Sequence, residues 1–387
     1  MKTKFTLPLL LLFCVSLFGQ KVITKKIESD ALQDERTIQI YVPKGYDKDS
    51  IANYPLAIVL DSEYLFDLYI GNSNLFSLTE KAPKQIVVGI EMNTTRSKDV
   101  SINKINSSLT ADSNNFLKFI QDELLFYIEG NFNTSPFISI IGNGASANII
   151  THFLRDETPI FNAYVCLNPI FSRDINSQMS SYNLNKLANI DNTYYFYMND
   201  SQVNNEPNKT HVKNLNTFLQ TLSIKNFNIK NDYIDTTPSS ISAIGETIPR
   251  ALSHNFELYS SITKEEFDTK IKDLSPTEAI SYLENKYIEI DYLFGSNLGI
   301  RERDILAIER IIIEKENGDH LKSFGEMILN LHPHSHLGHY YIGKYYETGK
   351  KYNRALKQYR LGYGKMDPGD PKADAFYQNI QRLLRKG

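Results

Sequence analysis

From Arg36 to about residue 262, short apolar runs alternate with helix-length stretches, and few architectures accept that order. Residues 56–60 (Leu-Ala-Ile-Val-Leu) and 85–90 (Gln-Ile-Val-Val-Gly-Ile) are continuous apolar runs, as strands covered on both faces of a parallel sheet are. Residues 37–43 instead alternate, as a half-buried strand does. Between 116 and 128 the apolar positions are Phe116, Leu117, Phe119, Ile120, Leu124, Leu125 and Ile128, a helical period. Another apolar strand at 137–141 runs into Gly142-Asn143-Gly144-Ala145-Ser146-Ala147 and a helical stretch to Leu154, and an aromatic strand follows at 193–198. The order predicts an α/β fold with a mostly parallel sheet flanked by helices.

Beyond Thr263 strand signals stop and helical periodicity continues to the C-terminus, so a smaller all-α region is expected at 263–387. The segment 318–324, leading to Leu331-His332-Pro333, is echoed by 349–355, leading to Met366-Asp367-Pro368. The second resembles a tetratricopeptide repeat, with Ile342-Gly343, Tyr346, Ala355, Tyr359 and Gly362 at its packing positions. An unrelated helical hairpin is the alternative. About two such repeats cannot bury a core alone, so this region is expected to dock on the α/β domain and to offer a contact for a protein partner.

Lys2 and Lys4 precede an apolar run from Leu7 to Phe18 that is too short to span a bilayer comfortably. With Ser16-Leu17-Phe18-Gly19 behind it, the run reads as a signal peptide over 1–19, cleaved before Gln20. The alternatives are a membrane anchor or a helix of the fold; Phe13 before Cys14 fits a lipid-attachment site poorly. The chain is then expected in the periplasm or cell envelope, or secreted, with no membrane span after cleavage, and residues 20–262 form the α/β domain. Cleavage removes Cys14 and leaves Cys166, so no intramolecular disulfide can form, and Cys166 in its apolar stretch is expected to be buried. Forty-two basic against 45 acidic residues give a net charge of −3 without a basic stripe, which points away from nucleic acid.

Several segments together resemble the putative-esterase family of α/β-hydrolases, which includes enterochelin esterases, esterase D and feruloyl-type esterases. The opening strand and turn are Arg36-Thr37-Ile38-Gln39-Ile40-Tyr41-Val42-Pro43-Lys44-Gly45-Tyr46-Asp47, and the next strand is Tyr54-Pro55-Leu56-Ala57-Ile58-Val59-Leu60-Asp61. Val87-Val88-Gly89-Ile90 with Arg96 and Asp99 resembles the family's strand and Arg-x-x-Asp loop, and Phe116–Ile120 with Glu123-Leu124 its helix before the nucleophile strand. The likeness covers about residues 30–262. It implies acyl transfer by a serine on a strained strand-to-helix turn, a histidine that takes its proton and a carboxylate that orients the histidine.

Where the family's turn reads Gly-His-Ser-x-Gly-Gly, this chain has Gly142-Asn143-Gly144-Ala145-Ser146-Ala147, which puts Gly144 at the nucleophile. The segment resembling the one after the family's histidine is Glu246-Thr247-Ile248-Pro249, which puts Gly245 at the base. Asp200 is the candidate carboxylate, and Ser62 replaces the glycine that follows Leu-Asp in the family. The resemblance thus implies a fold kept without its chemistry: a binding or scaffold module with a vestigial cleft around Asp61, Ser62, Asn143 and Ala145 that could take a small acyl or glycan ligand. The competing reading is an active carboxylic-ester hydrolase with a relocated Ser146/His254 pair. A third reading makes the helical region the working part and the first domain its platform.

No cofactor is expected. His332, His334, His336 and His339 are a weak candidate metal cluster, since imidazoles ligate zinc or copper but no carboxylate or cysteine completes a tetrahedral set. The alternative is a solvated turn between helices. Asp367-Pro368-Gly369-Asp370-Pro371 is turn chemistry and lacks the length of a calcium loop.

Overall fold

The structure is a computed structural model that describes residues 21–201, 206–234, 239–295 and 298–385. The expected signal segment 1–19 lies outside the described residues. Among those described, no helix is long and apolar enough to cross a membrane.

Among the described residues eight strands form one sheet: β1 (Lys21–Ser29), β2 (Asp34–Val42), β3 (Tyr54–Val59), β4 (Ile86–Ile90), β5 (Thr134–Asn143), β6 (Ala163–Leu167), β7 (Tyr194–Ser201) and β8 (Phe227–Ile234). Their spatial order is β1-β2-β4-β3-β5-β6-β7-β8. The β1–β2 and β2–β4 pairs are antiparallel and every other pair is parallel. The continuous apolar runs became the central strands because both faces of the sheet are covered. Leu56, Ile58, Val88 and Ile140 enter the core on one face; Ala57, Val59, Val87 and Ile141 enter the core on the other.

The helices of the α/β part are α1 (Ser62–Leu78), α2 (Arg96–Asp99), α3 (Ala111–Lys118), α4 (Leu125–Asn131), α5 (Ala145–Ile150), α6 (Ile175–Ser181), α7 (Glu206–Gln220) and α8 (Ser240–Asn255). The helical run expected over 116–128 is divided: a π-helical segment, Phe119–Leu124, joins α3 to α4. Helices α3 to α7 supply the core of one sheet face, and α1 and α8 that of the other. Cys166 is buried on β6, and burial pushes its thiol well above the ordinary range.

The rest is helical: α9 (Lys264–Glu266), α10 (Pro276–Phe294), α11 (Glu302–Glu316), α12 (Leu321–Leu331), α13 (His336–Thr348), α14 (Tyr352–Tyr363) and α15 (Ala373–Leu384). Helix α10 is the joint. Its last turns place Ile290, Leu293 and Phe294 in the core under the sheet, while Ala279, Leu283 and Tyr287 join the core of the helical region. Phe294 packs within 5.1–5.8 Å, ring to ring, of Phe137, Phe256 and Tyr259. The docking expected from the shortness of the repeats is therefore carried by one shared helix. Consecutive helices α12 to α15 stack in sequence, with small residues at their crossings: a Cβ on Gly343 would lie 2.7 Å from the Tyr359 ring.

The four clustered histidines do not converge. His332 caps α12, His336 faces Asp370 at 3.9 Å, and His339 holds Gln358 Oε1 at 2.8 Å. No group of three or more His, Cys, Asp or Glu suited to a metal ion occurs among the described residues. The turn at Pro333 breaks the helix, so neighbours in sequence are spread over α12, the turn and α13.

Candidate functional site

The parallel strands end on one edge of the sheet, where ligands of such sheets gather. There β5 turns sharply into α5. Gly144 stands at the turn with φ 64° and ψ −117°, a strained conformation that L side chains rarely adopt. A Cβ on Gly142 would lie 2.7 Å from the Ser146 carbonyl carbon, so the turn also depends on glycine there. Gly144 N–H donates to Leu167 O, and Gly144 O accepts from Ile170 N–H. The turn thus has the sharp, strained strand-to-helix backbone of an elbow, and the residue at its apex is a glycine.

What stands over the turn is Arg96. Its Nε donates to Asp61 Oδ1 at 2.6 Å and its Nη2 to Asn143 O at 3.1 Å and Ser146 Oγ at 3.5 Å. A Cβ on Gly144 would meet Ile170 Cδ1 at 3.5 Å and Arg96 Nη2 at 3.8 Å. The guanidinium therefore lies beside the space into which a nucleophile would project. Asp61 is 1% exposed and itself holds φ 53°. Tyr64 OH accepts from Asn143 Nδ2 at 3.0 Å, and burial, then the Asp61 charge, push its phenol above the ordinary value. The loop bearing Arg96 is pinned from below: Arg36 on β2 donates twice to Asp99 on α2, at 2.7 and 3.0 Å, both side chains about 5% exposed or less.

The expected pocket residues Asp61, Ser62, Asn143 and Ala145 do meet around the turn, but Asp61 and Ser62 are buried. Asp200 sits near the end of β7 with its carboxylate accepting from Ser201 N–H at 2.8 Å, and it lines a cavity with Lys209, Lys213 and Tyr233. Beside it the buried Asn199 exchanges amide hydrogen bonds with Asn168, at 2.7 and 2.8 Å.

Two sequence expectations need correction. Gly245 does not lie in a loop ahead of the last sheet-covering helix; it is inside α8, exposed, with open space around a Cβ. The relocated pair is not built either. Ser146 is fully buried with Arg96 beside its Oγ, whereas His254 ends α8 with Nε2 at 3.2 Å from Asn228 O, next to the Tyr195 ring. Asn228 and Tyr195 are the second residues of β8 and β7, so His254 lies at the starting edge of the strands and Ser146 at the finishing edge. All eight histidines are among the described residues, and none hydrogen-bonds to the elbow. His211 comes as far as Phe171 O, at 3.1 Å through Nδ1. Arg96 and Tyr64 were missed as site residues, although the Arg-x-x-Asp pattern marked the first.

Residues 29–157 match the family described as Putative esterase. Over that span the chain is similar to this family. The match runs from the end of β1 through the elbow. An uncharacterised protein from Capnocytophaga ochracea has a crystal structure similar to this chain at a TM-score of 0.79 and 24% identity, covering 94% of this chain and 100% of its own. An IroE-like serine hydrolase from Shewanella oneidensis aligns at 0.56 and 20% identity, over 81% of this chain and 99% of its own. The BES protein from Bacillus cereus aligns at 0.54 and 19%, over 61% and 96%. At these identities the structures share the fold. No curated protein matches the sequence.

Proposed function

We propose that this chain is an esterase-fold protein that no longer hydrolyses esters and serves as an exported binding or scaffold module of the cell envelope, its helical region being a contact for a protein partner. One observation carries the loss of catalysis: Gly144 keeps the nucleophile's backbone conformation without an Oγ, and a guanidinium lies beside the space. Acyl transfer by this route needs an oxygen nucleophile within hydrogen-bond reach of a base. Ser146 has Arg96 as its neighbour, a group that cannot accept a proton. The apolar run at 7–18 behind Lys2 and Lys4 supports export, and the tetratricopeptide-like spacing of Gly343, Ala355, Tyr359 and Gly362 supports a role in protein contact.

Hydrolysis of short p-nitrophenyl esters by the full mature chain tests the reading. The expected rate equals that of buffer. Turnover that disappears in Ser146→Ala would overturn it. A pull-down lost on deleting residues 352–387, which leaves α10 and its share of the sheet core in place, would support the helical contact.

A further inference from the structure

A cavity of about 760 Å³ lies away from the elbow. It opens at the starting edge of β7 and β8, where Thr193, Tyr195 and Asn228 face α9 and α10. Joints of this kind, and volumes of this size, are where small-molecule sites form. We propose that this cleft binds a neutral, hydroxyl-rich ligand, a short oligosaccharide segment.

Its floor is Lys286, 6% exposed. An ammonium carries three donors, and Lys286 Nζ spends one on Glu266 Oε1 at 3.0 Å, the single hydrogen-bond acceptor it has among the described residues. A buried charge with donors to spare calls for oxygen acceptors. The ligand should not be an anion, because the lining sets four carboxylates, Glu266 and Glu289 among them, against three ammonium groups. Asn192, Asn228 and Asn285 add paired donors and acceptors, the pattern that adjacent sugar hydroxyls meet in both directions, while the Asn226 amide is held by the Leu187, Ile190 and Asn192 carbonyls. Ala188, Ile190 and Leu258 are the aliphatic lining, too little for the side chains of a bound peptide. Tyr282, whose OH donates to Glu266 Oε1 at 2.8 Å, offers a ring whose orientation is already fixed. Sugar oxygens would accept from Lys286, and sugar hydroxyls would donate to the carboxylates and the amide oxygens.

The inference does not depend on whether the elbow is inert. The test is calorimetric titration of the full mature chain with neutral tetrasaccharides of glucose, xylose, mannose and N-acetylglucosamine, beside inorganic phosphate and a neutral tetrapeptide. Saturable binding of at least one sugar is expected. Ala188→Trp, at an exposed rim position where the fold has nothing to lose, should weaken it about tenfold or more. Lys286→Met should do the same if the variant keeps its circular dichroism. No sugar binding, binding untouched by Ala188→Trp, or binding of phosphate or peptide in place of sugar would overturn the proposal.

Discussion

The proposed loss of catalysis rests on Gly144. Its φ of 64° would cost an L residue about 1–3 kcal/mol, yet the nearest atoms to an added Cβ leave room at 3.5 Å. Gly144→Ser should therefore fold, melt at a lower temperature than the parent, and still not hydrolyse p-nitrophenyl acetate, because no histidine bonds to the elbow. A burst of nitrophenol from that variant would reveal a base. The sharp turn at Gly144 was legible in the sequence, since a strand and a helix motif flank it. Arg96 as the group above it was not: its partners Asp61 and Asn143 are 35 and 47 residues away, and no local period reports such a contact. A second residue-scale prediction concerns His152. Burial, assisted by the Arg155 charge, lowers it from its ordinary 6.5 to about 4, and Tyr182 OH lies 3.1 Å from its Nδ1. A histidine kept neutral in the fold contributes stability that is complete above about pH 6.5 and is lost as pH falls toward 4. Urea midpoints should drop across that window, and His152→Gln should narrow the drop.

At the scale of elements, the loop that carries Arg96 is set by an ion pair one layer down. Asp99→Ala leaves Arg36 buried and unpaired, and should cost about 3–5 kcal/mol in urea unfolding. A loss below about 1 kcal/mol, the scale of an exposed pair, would show that the pair does not hold the loop. In the helical region, Gly343→Val forces a side chain into the Tyr359 ring and should destabilise that region by about 1–3 kcal/mol. The parallel strands were legible because burial on both faces leaves continuous apolar runs. Strand β1 was not, because Lys21, Lys25 and Lys26 on a polar edge strand carry no such run. Gly245 was placed by the likeness of Glu246-Thr247-Ile248-Pro249 to the family's segment, and that short likeness falls inside α8, which accommodates Pro249 in its interior. The histidine cluster shows the limit of counting residues, since a turn sends its members in different directions.

For the whole molecule, the sheet and the helical region share α10, and they should unfold as one unit. Phe294→Ala empties the ring cluster with Phe137, Phe256 and Tyr259 and should lower stability by about 3–5 kcal/mol. If the regions are coupled as described, it should shift the transitions of both together; a shift confined to one would contradict the shared joint. The Capnocytophaga ochracea structure covers 94% of this chain, so the helical region accompanies the sheet there as well. The account's central claim is the inert elbow, and labelling of the mature chain with a fluorophosphonate, mapped by mass spectrometry, tests it without knowledge of a substrate. With an active esterase labelled in parallel, the account predicts no adduct on Ser146 or on any other serine of the folded protein. An adduct at Ser146 would contradict it.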